Sequence, residues 1–401
     1  MITIEDIEAA AKRLTDVVSP TPAAPSRNLS YVTGRPVSVK PEHLQRTGSF
    51  KIRGAYNRIS TLAEEGTATA VVAGSAGNHA QGVALAATLS NLHSTVFMPL
   101  DAPHPKVEAT RSYGAEVIQL GESVDDCIEA AREHANRTGA VFVPPFDDPM
   151  IVAGQGTVGL ELAHEVPDAE VVLVPVGGGG LIGGIAVALS ALRPNTRIVG
   201  VEAAGAASMA GAIANGGPVT LDTLSTMADG IAVKCVSDLT LSLVTQHVSE
   251  VVTVDEEEIS RAVLLLLERC KWVVEPAGAA ALAALLAGKI SGSGEVAVVL
   301  SGGNVDPLLL TRLIEHGMTA SGRFVILRVV IPDRPGALAK LTAALAELRL
   351  NVISVDHHRR SAALTVDQTE VLLTLETRDP EHRDKVIPYL ESRGYQATIH
   401  W

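Results

Sequence analysis

Residues 171–181 read Val-Val-Leu-Val-Pro-Val-Gly-Gly-Gly-Gly-Leu. Six apolar residues in succession, ended by glycines, describe a strand covered on both faces rather than one half-exposed to water. The Ala/Leu-rich stretch from Leu181 is helical in pattern. A strand feeding a helix through four glycines is the unit from which parallel, doubly covered sheets are built. Backbone amides at such a turn close on an anion without side-chain obstruction. A tight packing turn is the alternative reading at this point. The turn is neither G-x-G-x-x-G nor a Walker loop, which disfavours a dinucleotide or a nucleoside triphosphate.

Working outward, the same alternation recurs. Ala70–Ala73 leads through Gly74–Asn78 into a helix reaching Ala87, and Thr95–Met98 precedes a helix near Val107–Tyr113. Ile198–Val201, Val251–Val254 and Val296–Leu300 are further short apolar strands. Upstream, Thr3 and Asp6 form a capping box for a helix whose apolar positions run from Ile4 to Val18. After Pro307–His316 the pattern changes. Residues 317–322 (GMTASG) read as a linker. From Arg323 the predicted order is strand (324–331), helix (337–348), strand (352–357), strand (370–376), helix (380–393) and strand (395–401). That β-α-β-β-α-β order is ferredoxin-like. The domains expected are 1–316 and 323–401, joined by 317–322.

Composition narrows the function. The chain has 401 residues, 47% hydrophobic and 19% charged, with 32 Lys+Arg against 45 Asp+Glu and a net charge of −13. That excess of acid argues against phosphate-driven nucleic-acid binding, and 3% aromatic content argues against base stacking. Cys127, Cys235 and Cys270 have neither disulfide nor metal spacing. The N-terminus shows no leader pattern, and no long apolar run lacks charge. A cytoplasmic protein with no membrane or nucleic-acid partner is expected.

Three clusters carry chemistry. Lys51 in Ser49-Phe50-Lys51-Ile52-Arg53-Gly54-Ala55 follows a small-residue turn and opens a helical stretch. If desolvated there, its amine becomes nucleophilic; as a surface residue it would be inert. Ser75-Ala76-Gly77-Asn78-His79-Ala80-Gln81-Gly82 follows a strand and offers amides and polar side chains to a carboxylate, unless it is only a capped turn. Gly177-Gly178-Gly179-Gly180-Leu181 is the anion turn. An amine, a phosphate cradle and a carboxylate site together suit pyridoxal phosphate chemistry on an amino acid.

Residues 1–316 resemble the fold-type II pyridoxal phosphate enzymes, in particular the threonine ammonia-lyases. The segments SFKIRGA (49–55), SAGNHAQG (75–82), PVGGGGL (175–181), MADGIAV (227–233), EPAGA (275–279) and SGGN (301–304) carry the resemblance, in order. It implies two open α/β subdomains. It implies that Lys51 holds the cofactor as a Schiff base, that Phe50 lies against its ring and that Asn78 bonds the ring hydroxyl. Gly177 to Leu181 would bind the phosphate, and Ser301 would face the pyridine nitrogen. Gly230 and Glu275 would line the cofactor. Ser75, Asn78 and His79 would take the substrate carboxylate.

Residues 323–401 resemble an ACT domain, an amino-acid-binding regulatory module. Asp333-Arg334-Pro335-Gly336-Ala337-Leu338 and Asn351-Val352 carry that resemblance. An amino-acid effector at Asp333, Pro335, Gly336, Ala337, Leu338 and Asn351 is implied; a purely assembling ferredoxin-like domain is the alternative. A homodimer or homotetramer follows from the family. His357-His358-Arg359-Arg360 reads as a polar strand end.

Departures from the family discriminate further. Related serine racemases carry Ser where this chain has Ala76, and alanine transfers no proton. Elimination from L-threonine, and from L-serine, is therefore expected over racemisation. The racemases hold a divalent ion beside a Glu and an Asp; here Glu202 is present but Ser208 stands at the Asp position. No divalent metal is expected, and a monovalent cation near Glu202 is the remaining option. His43 stands where relatives carry Asn or Asp, and the sequence supplies no reason. A serine racemase or serine ammonia-lyase of the same fold is the alternative, and a β-replacing enzyme and a catalytically idle amino-acid sensor are the further rivals.

Overall fold

The computed structural model describes residues 2–320, 322–358 and 365–400. Its strand Val171–Pro175 is buried at every position and sits inside a six-stranded sheet. The order across that sheet is Ala24–Pro25, Val37–Lys40, Val296–Val299, Val171–Pro175, Arg197–Ala203 and Glu250–Val254. All neighbours are parallel except the first pair. The sheet expected to be wholly parallel thus ends in a two-residue antiparallel strand. Pro25, which donates no hydrogen bond, is tolerated there because that strand is an edge.

A second sheet orders Glu116–Gln119, His93–Met98, Ala70–Gly74 and Val141–Phe142, all parallel. The two sheets define two subdomains within one unit. Helix Gly180–Leu192 is buried from Gly180 to Leu189 and packs with Val172, Val174 and Ile198 of the larger sheet. Helices Lys51–Glu64 and Asn78–Leu89 share a core with Val71 and Ala73 of the smaller one. The first helix has the expected Thr3–Asp6 capping box but stops at Leu14, with Asp16 in left-handed backbone (φ 66°) two residues on.

Contacts divide the chain into Met1–Asp306 and Pro307–Trp401, ten residues before the expected boundary. The reason is a helix, Pro307–Ala320, which runs into the stretch read as a linker and belongs to the second unit. That unit forms a four-stranded antiparallel sheet in the order Asn351–His358, Gln368–Glu376, Phe324–Pro332, Gln396–Ile399. The predicted β-α-β-β-α-β order is present. Its second helix comes in two pieces, Pro380–Asp384 and Val386–Ser392. Pro388 has no N–H to return to the Asp384 carbonyl, so the run breaks one turn before it. Arg359, Arg360 and Trp401 lie outside the described residues. No helix among the described residues is long and apolar enough to cross a membrane.

Candidate active site

Lys51 is the first residue of its helix. The turn before it is stitched to residues 301–303: Phe50 N donates to Ser301 O (3.2 Å), Gly303 N to Gly48 O (2.9 Å), and Ser49 bridges Gly302. Lys51 Nζ donates to Pro145 O at 2.9 Å and lies 5.3 Å from the Phe50 ring centroid. Burial draws its pKa down to about 8, partly opposed by Glu275. About a tenth is then free amine at pH 7 and about half at pH 8.

The glycine turn leads from strand Val171–Pro175 into helix Gly180–Leu192. Gly179 adopts φ 85°, and no side chain caps the helix. Its first N–H groups are therefore available to an anion, with the helix dipole behind them. A Cβ on Gly178 would stand 2.1 Å from the Phe146 ring, so the turn approaches that ring as only glycine can.

Helix Asn78–Leu89 likewise starts at Gly77 without a side-chain cap. Ser75 Oγ accepts from Gly77 N at 3.2 Å, and Asn78 Nδ2 donates to Glu275 Oε1 at 2.6 Å. His79 stands on the same turn as Ser75 and Asn78, with its side chain engaged by the backbone. Its Nε2 is paired with Val143 O at 2.9 Å, and burial together with Lys51 drives its pKa to about 3. The ring is neutral and tethers the helix to the residue that follows strand Val141–Phe142. Burial, reinforced by Asp229, pushes Glu275 up to about 7.

Phe50, Lys51, Ser75, Asn78, His79, Gly177, Gly178, Gly179, Gly180, Leu181, Gly230, Glu275 and Ser301 all line one cavity of about 640 Å³. Every residue named in advance for the catalytic unit is therefore brought together. Ala76 lines it too. The sequence reading did not find Phe146, Gln155 or the ion pairs at this cavity. Lys106 Nζ–Asp229 Oδ2 (2.6 Å) and Lys234 Nζ–Asp125 Oδ2 (2.7 Å) join helices of the smaller subdomain to the 229–234 segment. No local pattern marks them; they exist only because the chain returns across the cleft.

Elsewhere, His43 packs its ring 5.3 Å from that of Trp272, behind Gly303. Burial lowers its pKa to about 4, and neither ring nitrogen has a partner among the described residues. The Glu202 carboxylate accepts Met209 N (2.7 Å) and Ala210 N (2.9 Å), while Ser208 Oγ is buried without a partner among the described residues. Among those residues no group of three or more His, Cys, Asp or Glu could hold a metal ion. In the second unit, Gly336 (φ 86°) starts helix Ala337–Glu347 with no side-chain cap. Asp333, Pro335, Ala337 and Leu338 adjoin it on the same turn, and Asn351 Nδ2 donates to Glu376 Oε2 across the sheet at 3.1 Å.

A desolvated lysine and two helix N-termini without side-chain caps, set around one cavity of an α/β fold, suit an enzyme that works with an anionic cofactor. The chain belongs to the family of pyridoxal-phosphate dependent enzymes, whose model matches residues 14–302, and it carries an ACT domain, matched over 325–387. It is 47% identical to the L-threonine ammonia-lyase of Thermotoga maritima over 400 residues, 100% of both chains. Threonine deaminase isoform 2 of Solanum lycopersicum superposes with a TM-score of 0.74 at 38% identity, covering 78% of this chain and 91% of that one. A serine racemase of Dictyostelium discoideum superposes at 0.71 with 33% identity, over 76% and 99%. The cavity fits pyridoxal phosphate: open helix N–H groups for the phosphate, a lysine amine whose pKa burial lowers to about 8, and a volume of about 640 Å³ for the ring.

Proposed function

We propose that this protein is an L-threonine ammonia-lyase, converting L-threonine to 2-oxobutanoate and ammonia, and L-serine to pyruvate and ammonia. The observation that carries this reading is the single cavity in which Lys51, the glycine turn, the Ser75–His79 turn and Ala76 meet. Pyridoxal phosphate, when bound, supplies the electron sink that lets the substrate's α-carbon lose its proton. The N–H groups of residues 177–181 hold the phosphate. Phe50, Asn78, Gly230, Glu275 and Ser301 flank the remainder. The open N-terminus of helix Asn78–Leu89, with Ser75, receives the substrate carboxylate, and His79 keeps that turn in place.

Lys51 Nζ takes the α-proton, for which a pKa near 8 is well matched. The Lys106–Asp229 and Lys234–Asp125 pairs draw the two subdomains together and limit water in the cleft. Ala76 has no proton to exchange, so the second acid that racemisation needs is missing. The threonine methyl group discriminates by only about 1–3 kcal/mol, which leaves activity on L-serine.

The ACT domain supplies an amino-acid effector site at Asp333, Pro335, Gly336, Ala337, Leu338 and Asn351, with isoleucine or valine as its ligand between paired copies. The protein works as a homodimer or homotetramer in the cytoplasm. A monovalent cation near Glu202 is the one metal ion this reading leaves room for. The test is incubation of the purified, pyridoxal phosphate-loaded protein with L-threonine and L-serine separately. Rapid 2-oxobutanoate, with no D-serine from L-serine, is expected. D-serine with little oxo acid would transfer the assignment to a racemase.

A further inference from the structure

Thr47 and Gly48, just before Lys51, both have left-handed backbone, φ 62° and 71°. For a β-branched residue this is an outlier and is held only when its surroundings over-determine it. The Thr47 side chain does not compensate: its Oγ1 is buried without a partner among the described residues. The hold comes from Asn304. Its Nδ2 donates to Thr47 O at 2.7 Å and also to Asn78 Oδ1 at 2.7 Å. The Asn304 amide fits so closely that a Cβ on Gly48 would lie 2.3 Å from Asn304 Oδ1.

The same contact fixes a second group. With Oδ1 of Asn78 receiving Asn304, its Nδ2 faces Glu275 Oε1 at 2.6 Å. The reverse orientation would set donor against donor at Asn304 and acceptor against carboxylate at Glu275. An Nδ2 group has two hydrogens, so one remains for the cavity that Asn78 lines. Asn304 itself is not among the residues lining that cavity; it acts through its neighbours.

We propose that Asn304 is a positioning residue of this site: one amide nitrogen pins the turn that delivers Lys51 and sets which way the Asn78 amide faces. The proposal rests on reading the cavity as the pyridoxal phosphate site. Asn304→Asp keeps the shape but turns an acceptor on two acceptors. Asn304→Ala removes the donor without adding charge.

The full-length chain and both variants are prepared as apoprotein. Their far-ultraviolet spectra and unfolding midpoints are recorded, and each is titrated with pyridoxal phosphate. The visible absorption maximum of the loaded protein, kcat and KM for L-threonine are then measured. Losing a buried partner weakens cofactor binding by about tenfold or more. The absorption maximum shifts and kcat falls further than KM rises, while the apoprotein keeps the parent's far-ultraviolet spectrum and unfolds cooperatively at a modestly lower midpoint. Thr47→Gly in the Asn304→Ala background restores part of the cofactor affinity, because glycine adopts this backbone without strain. An Asn304→Asp protein with parental affinity and absorption maximum overturns the proposal; if that variant is insoluble, the same result in Asn304→Ala does so. A parent chain that fails to take up pyridoxal phosphate overturns the cofactor reading instead, so the two failures are distinct.

Discussion

Glu42→Gln probes what keeps the Lys51 helix seated. Arg53, two residues after Lys51, is 1% exposed, and its partner Glu42 is 0% exposed. The pair is two-pronged: Nε to Oε2 and Nη2 to Oε1, each 2.8 Å. Glu161 binds the same guanidinium through Nη1 (2.5 Å) and Nη2 (2.9 Å). Lys40 joins Glu161 (2.6 Å) to Glu165 (2.8 Å). Thr21 Oγ1 donates to Glu42 Oε1 at 2.6 Å. The glutamine amide can offer oxygen to only one of the two guanidinium prongs, and its NH₂ then opposes a donor. Breaking a buried pair from one side costs about 3–5 kcal/mol. The surviving Glu161 contact puts this case at about 3 kcal/mol, which lowers a urea midpoint by about 1 M.

Two tryptophans, Trp272 and Trp401, would report together, so the comparison belongs in a Trp401→Phe background. There Trp272, which packs on His43 next to Glu42, reads the catalytic unit alone. Glu42→Leu with Arg53→Met, which removes both charges, is expected to lose less than Glu42→Gln alone. A midpoint within about 0.2 M of the parent would refute this reasoning, since it would mean that the buried pair contributes nothing over its uncharged replacement.

Acid sensitivity follows from His43. Its folded pKa of about 4 lies below the unfolded 6.5, so the unfolded chain takes up the proton first as pH falls. Its contribution to stability is complete above pH 6.5 and disappears between 6.5 and 4; at pH 5 about 2 kcal/mol is gone. His43→Phe keeps the ring against Trp272 and should flatten that part of the curve in urea titrations, and an unchanged slope between pH 7 and 5 would place the effect elsewhere. Gly178→Ala drives a methyl group into the Phe146 ring and should weaken pyridoxal phosphate binding about tenfold; equal affinity by titration would show that the turn yields freely. Ala76→Ser should raise D-serine formation from L-serine by about a hundredfold, the lower range for a positioned proton donor, and chiral chromatography that detects none would remove Ala76 as the reason the chain eliminates.

Local patterns were legible where one stretch of chain supplies the whole feature. The capping box Thr3–Asp6, the glycine turn at 177–181 and the ferredoxin-like order after 323 are of this kind. The expected linker 317–322 was misread because Gly317 and Gly322 look like breakers, yet Gly317 sits inside helix Pro307–Ala320. His79 looked like a ligand group because its neighbours do; only its 2.9 Å contact with Val143 O reveals a tether. His43 had no explanation in sequence because its reason is the Trp272 ring, far away along the chain.

The sequence by itself determined the class of those elements whose signal is local, such as the strand and glycine turn at 171–181 and the strand and helix order after 323, because burial on one or both faces and the need for glycine at a sharp turn are written in adjacent residues. It also singled out Lys51 and the turn at 177–181, which the structure places around one cavity. Only the tertiary structure decided that Lys106 meets Asp229, that Phe146 closes on the glycine turn, and that Asn304 reaches both Thr47 and Asn78. Those relations depend on how two sheets and the returning chain are placed in space. Hydrogen bonds act over about 3 Å whatever the separation in sequence, so no local periodicity can announce them.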